Sequence, residues 1–162
     1  MNILIVFDSF FGNTEKVARD IAGSLSSGNN VRAERVGDIS QENLEGVDLL
    51  VVGSPTRAFS PSELTKEFLK SIPPKGLKGV KVAAFDTRIS VDDVDSKFLK
   101  FMVKMFGYAA KTISDALVKK GGVLEVPPEG FYVKGNEGPL KDGELERAAS
   151  WLNKKAINKL KR

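Results

Sequence analysis

The chain has 162 residues, 41% of them apolar and 28% charged, with a net charge of +4. That is enough for one folded unit with a sizeable core, and the balance is ordinary for a globular protein. Cysteine and histidine are both absent, which excludes disulfides, thiolate nucleophiles, Ser-His-Asp triads and His-based zinc sites.

No apolar run approaches a membrane span, and the first residues read as a strand with no secretory leader before it, so a cytoplasmic protein is expected. Five of the positive charges, Lys154, Lys155, Lys159, Lys161 and Arg162, fall in the last ten residues, which hold no acid; taken from +4 they leave −1 for the rest. Cations suit a helix C-terminus and charge runs are usually solvated, so this cluster reads as a helix end, not as a specific nucleic-acid site.

Taken in order, the chain alternates strand and helix. Residues 2–7 form a buried strand, and 14–27 a helix with Val17, Ala18, Ile21, Ala22 and Leu25 on one face. Residues 31–36 alternate apolar and charged, which suits an edge strand. Residues 37–46 leave room for one helical turn, and 47–53 form a second buried strand. Ser60-Pro61-Ser62-Glu63 reads as a capping box, opening a helix whose buried face holds Leu64, Phe68, Leu69 and Ile72. A third apolar strand spans 80–86. The polar stretch 88–95 holds Asp92, Asp93 and Asp95, read as helix-capping acids in preference to a cation site.

A long helical region follows, with Phe98, Leu99, Met102, Val103 and Phe106 on the apolar face of its first part and Gly107 as a candidate break. Residues 123–126 form a short strand, which Phe131-Tyr132-Val133 are placed to resume after irregular chain. The last helix runs from about 143 to 159, with Leu145, Ala148, Ala149, Leu152, Ala156 and Leu160 on its apolar face. Such alternation implies a parallel sheet covered by helices on both faces, here as a single domain over 1–162.

The ligand crevice of such folds lies where strands end. Three segments are placed there. Ser9-Phe10-Phe11-Gly12-Asn13-Thr14 joins the first strand to the first helix, where N–H groups lack intrahelical acceptors and suit a phosphate. Taken alone it also reads as a plain turn with an N-cap. Ser54-Pro55-Thr56-Arg57-Ala58-Phe59 follows the third strand, and Asp86-Thr87-Arg88-Ile89 the fourth. No Walker lysine follows Gly12 and no G-x-G-x-x-G is present. No metal cluster and no catalytic acid or base is assigned.

These segments together resemble the flavodoxin-like family of FMN-binding proteins, over nearly the whole chain. The resemblance implies a five-stranded doubly wound sheet in the order 2-1-3-4-5, with helices on both faces and FMN bound by all three segments. The phosphate falls to Ser9, Gly12, Asn13 and Thr14, and the flavin ring to residues 54–59 and to Thr87 and Arg88. Phe11 and the Ser54-Pro55-Thr56-Arg57 run look more like the NAD(P)H:quinone oxidoreductases within this group.

Three departures from flavodoxin proper bear on chemistry. The stretch 87–94 has no aromatic, so one ring face is expected to be open or covered by Ile89. Thr56-Arg57-Ala58 has no Gly, so a peptide flip that stabilises the one-electron state is expected to be costly. Arg57 and Arg88 place cations near the ring. The expected function is therefore an NAD(P)H-dependent two-electron oxidoreductase of quinone-like acceptors. The alternatives are a one-electron carrier that docks redox partner proteins, and a non-flavin phosphate-binding or receiver-like domain. The oligomeric state is left open.

Overall fold

The computed structural model describes residues 1–93 and 96–153. Its regular elements are β1 (Asn2–Phe7), α1 (Asn13–Leu25), β2 (Asn30–Arg35), β3 (Leu49–Pro55), α2 (Glu63–Ser71), β4 (Lys81–Ile89), α3 (Lys97–Phe106), α4 (Ala109–Lys119), β5 (Val123–Leu124), β6 (Glu129–Val133) and α5 (Glu144–Trp151). Every strand pairing among them is parallel, in the order β2-β1-β3-β4-β5, with β6 also on β4. The fifth place is thus shared by two pieces. β5 pairs with Lys81 and Val82, and β6 pairs with Phe85 to Ile89. Pro127 and Pro128 lie between the pieces, and proline cannot donate to a ladder.

Alternate residues of a strand face opposite sides, so each central strand feeds two cores. Leu4, Val6, Leu50 and Val52 pack under α2 and α4, against Phe68, Leu69, Ile113 and Leu117. Ile3, Ile5, Val51 and Phe85 pack under α1 and α5, against Val17, Ile21 and Trp151. Phe85, Phe131 and Trp151 meet edge to face, with ring centroids 6.0–6.1 Å apart, a geometry that aromatic quadrupoles favour.

Several local expectations are corrected. The cap of α2 is Ser62, whose Oγ accepts from the Thr65 N–H at 3.3 Å, so Pro61 precedes the helix and Ser60 caps nothing. Leu64 is 49% exposed, and its expected place in the core belongs to Thr65. The helical break at Gly107 is present, with φ +69 there. α3 does not bury the face expected of it: Phe98 is 68% exposed and Leu99 is exposed as well. The cap of α3 is Ser96, whose Oγ accepts from the Leu99 N–H at 3.2 Å. Of the acids upstream, Asp93 pairs with Lys141 instead. Asp95, the Phe106 side chain, Ala156, Leu160 and the basic cluster at 154–162 lie outside the described residues.

Gly53 shows how tightly the site's support is packed. A Cβ on Gly53 would lie 2.0 Å from the Cζ of Phe85. Gly53→Ala is expected to lower stability by about 1–3 kcal/mol through overpacking. Gly23→Ala, on the exposed side of α1 where a Cβ meets nothing, is expected to raise it by about 1 kcal/mol. Urea unfolding of the two variants beside the parent checks both signs.

Candidate functional site

The parallel register brings the C-terminal ends of β1, β3, β4 and β6 to one edge. At the first of these ends, the Asp8 N–H donates to the Gly53 carbonyl at 3.1 Å, and Asp8 Oδ1 accepts from the Ser9 N–H at 2.9 Å. The other carboxylate oxygen, Oδ2, is buried without a hydrogen-bond partner. Ser9 Oγ accepts from the N–H groups of Gly12 (3.1 Å) and Glu15 (3.4 Å), so its own hydrogen is free to be donated outward. Gly12, at φ +89, is the N-cap of α1. The N–H groups of Phe10, Phe11, Asn13 and Thr14 have no acceptor among the described residues. Unmet N–H groups at the positive end of a helix, with a hydroxyl beside them, form a donor set for a dianion.

The second end carries a strained turn. Arg57 and Ser60 exchange two backbone hydrogen bonds of 2.9 Å around Ala58 (φ +46) and Phe59 (φ +64). Two left-handed central residues make a type I′ turn, which favours Asn-Gly. Each L residue held there costs about 1–2 kcal/mol. The segment thus reaches the left-handed region without Gly and bears that cost. The Arg57 guanidinium lies over the rings of Phe10 (4.8 Å to the centroid) and Phe11 (5.4 Å), both about half exposed. Ser54 stands behind the cleft: it is fully buried, and its Oγ accepts from the Ser62 N–H at 2.9 Å.

At the third end, β4 continues to Ile89, so Asp86-Thr87-Arg88-Ile89 is strand, not loop. Asp86 is fully buried and also lies behind the cleft. Its carboxylate accepts from Arg88 Nε (2.6 Å), Arg88 Nη2 (2.8 Å) and the Ala110 N–H (2.8 Å). Burial pushes the Asp86 carboxyl above its usual range, while Arg88 and these donors pull against that shift. The Arg88 guanidinium is also stacked 3.6 Å from the centroid of Tyr108. Arg88 lines the cleft, and its charge is matched by Asp86. The hydroxyls of Thr87 and Thr14 share a 2.8 Å hydrogen bond that ties β4 to the first turn of α1.

A fourth segment was not anticipated. Asn13 Nδ2 donates to the Glu137 carbonyl at 3.0 Å, so this amide holds the segment after β6. A Cβ on Gly138 (φ +100) would lie 2.5 Å from Asn13 Nδ2. Val133 and Asn136 join the cleft wall in consequence. The signal in the sequence is the close spacing of Gly135 and Gly138 beyond a strand, which carries no periodicity to read.

Two connected parts make up the cleft. One lies between the first loop, residues 55–58 and β4, and the other between Ala58, Phe59, Ile89, Val91, Tyr108 and α3, through Leu99 and Val103. Phe59 lines only the second part.

A family model described as a flavodoxin domain matches residues 4–116, which hold the first three segments of the cleft. The chain belongs to this flavodoxin-like, FMN-binding family. A flavodoxin of Clostridium beijerinckii is 32% identical over 118 residues, covering 70% of this chain and 83% of that protein. Flavodoxin 1 of Bacillus cereus is similar in structure, with a TM-score of 0.76 at 18% identity, covering 97% of this chain and 98% of that one. Rubredoxin oxygen:oxidoreductase of Desulfovibrio gigas matches with a TM-score of 0.70 at 20% identity, over 94% of this chain but 34% of the larger one. FMN is the cofactor of the flavodoxin family, and the unmet donors at the start of α1 fit its phosphate.

Two glycines test this cradle. Gly12→Ala is expected to weaken FMN binding about five- to thirtyfold with the fold retained, because the left-handed turn that aims the donors is penalised by roughly 1–2 kcal/mol. Gly138→Ala is expected to weaken it less, by displacing Asn13. Fluorescence titration of the apoprotein with FMN, beside circular dichroism, separates lost binding from lost folding.

Proposed function

We propose that this flavoprotein is a flavodoxin-type carrier that passes electrons one at a time between protein partners. In this reading the N–H groups of Phe10, Phe11, Asn13 and Thr14, with the Ser9 hydroxyl, hold the phosphate. Arg57 supplies a nearby countercharge. Ala58, Phe59, Ile89, Leu99 and Val103 flank the ring. FMN, when bound, supplies the electron-accepting chemistry, and the chain positions, shields and tunes it.

The flavodoxin match over residues 4–116 carries this reading; the turn at Ala58-Phe59 bears on its energetics. A type I′ turn becomes type II′ when its central peptide turns over, and only the first central residue then keeps a positive φ. Phe59 would pass to the ordinary negative region and lose its strain. Ala58 would then hold the first central position of a type II′ turn, which favours Gly, so the flip relieves Phe59 but is still opposed at Ala58, as the missing Gly implied. The pairing of Arg88 with Asp86 weakens one argument for two-electron chemistry. Arg57, together with the aliphatic wall of Ile89, Val91 and Leu99, favours the second reading, an NAD(P)H-dependent two-electron oxidoreductase of quinone-like acceptors.

Among the described residues no helix is long and apolar enough to cross a membrane, and a cytoplasmic location forms part of this proposal. Potentiometric titration of the FMN-loaded protein is expected to give two resolved one-electron steps, with no NAD(P)H consumed in the presence of a quinone. A single two-electron step accompanied by NAD(P)H oxidation would establish the second reading instead.

A further inference from the structure

α3 is built unlike the other helices. Its sequence, Lys97-Phe98-Leu99-Lys100-Phe101-Met102-Val103-Lys104-Met105-Phe106, holds no acid. Residues three, four and seven apart share a helix face, and three stripes result. Leu99 and Val103 line the ring end of the cleft. Phe98, Phe101 and Met105 form a second stripe, exposed by 68%, 56% and 60%. Lys97, Lys100 and Lys104 form a third, exposed, with no ion-pair partner among the described residues. The two aromatic rings and the methionine contribute to neither core.

An apolar stripe of this kind, left in water beside a row of cations, is the pattern of a recognition surface with an apolar centre and a charged edge. Its position matters as much as its composition. α3 is the wall between the ring end of the cleft and solvent, so a molecule seated on its outer face lies about one helix diameter, roughly 10 Å, from the cofactor.

Resting on the electron-carrier reading above, we propose that the outer face of α3 docks an acidic redox protein. Carboxylates on that partner meet Lys97, Lys100 and Lys104, and an apolar patch covers Phe98, Phe101 and Met105. Charge decides the occupant. A second copy across a two-fold axis would set the same three lysines against each other, since an isologous contact repeats one patch on both sides. Opposite charge on the partner steers encounter, and the apolar stripe then holds it.

The test uses the full chain loaded with FMN and a reduced, acidic two-iron ferredoxin as electron donor, followed by stopped flow at low and high salt. K97Q/K100Q/K104Q is expected to slow the second-order transfer at least about tenfold at low salt and to remove most of its salt dependence. F98S/F101S is expected to weaken the complex while leaving the salt dependence in place. Both variants should keep the parent's FMN affinity, potentials and rate of reduction by a neutral photoreductant.

Parent-like transfer and salt dependence in both variants would overturn the docking face, as would a failure of the parent to accept electrons from the ferredoxin while the photoreductant still works. So would loss in these variants of a dimer seen by size exclusion, or of binding to phosphatidylglycerol vesicles, since the face would then serve a second copy or a lipid surface. Failure of the carrier reading shows separately, as the absence of resolved one-electron steps in the parent itself.

Discussion

Four N–H groups at the start of α1 have no acceptor among the described residues, and the surrounding structure is arranged to keep them so. The chain leaves β1 between two buried cores, which fix the strand end. Asp8 is tied back to β3, the Ser9 hydroxyl takes the N–H groups of Gly12 and Glu15, and Gly12 turns through positive φ. The residues that carry the remaining donors line the cleft. Leaving polar groups unpaired is costly unless solvent or a ligand meets them, so the same arrangement that strains the free protein favours binding of an anion.

The other ends of the sheet act on this cradle. Thr87 holds the first turn of α1 through Thr14, and the segment around Gly138 closes on Asn13. The charges are divided with the same economy. Arg88 is satisfied by Asp86 and by the ring of Tyr108, whereas Arg57 has, among the described residues, only the faces of Phe10 and Phe11 beneath it. Arg57 is therefore the cation left available to the cleft, beside a turn that already holds two residues in the left-handed region. In the reading proposed above, cofactor binding, ring contact and partner contact fall to successive parts of one edge.

Much of this was legible in the residues. The strand-turn-helix order at 2–14 and the three segments at strand ends follow from apolar runs and their punctuation, and the sheet order from the resemblance to the flavodoxin-like family. What was not legible has physical causes. Ala58 and Phe59 carry no glycine to announce positive φ, and their turn is set by the Arg57–Ser60 pairing. Asp86 and Arg88 are two apart, which puts them on one face of a strand, but ending the strand at 86 hid the pair. Pro127 and Pro128 split the fifth strand, and the second piece contributes a wall that periodicity in so irregular a segment does not reveal. The apolar spacing of α3 marks a helix face without saying whether protein or solvent meets it.

The central claim is that backbone donors at the start of α1 grip a phosphate. The most direct measurement is titration of the apoprotein with FMN and, separately, with riboflavin, which has the same ring and no phosphate. Charge-assisted hydrogen bonds contribute about 1.5–3 kcal/mol each, so two or more of them predict FMN binding at least about a hundredfold tighter. Equal affinities for the two flavins would contradict the account.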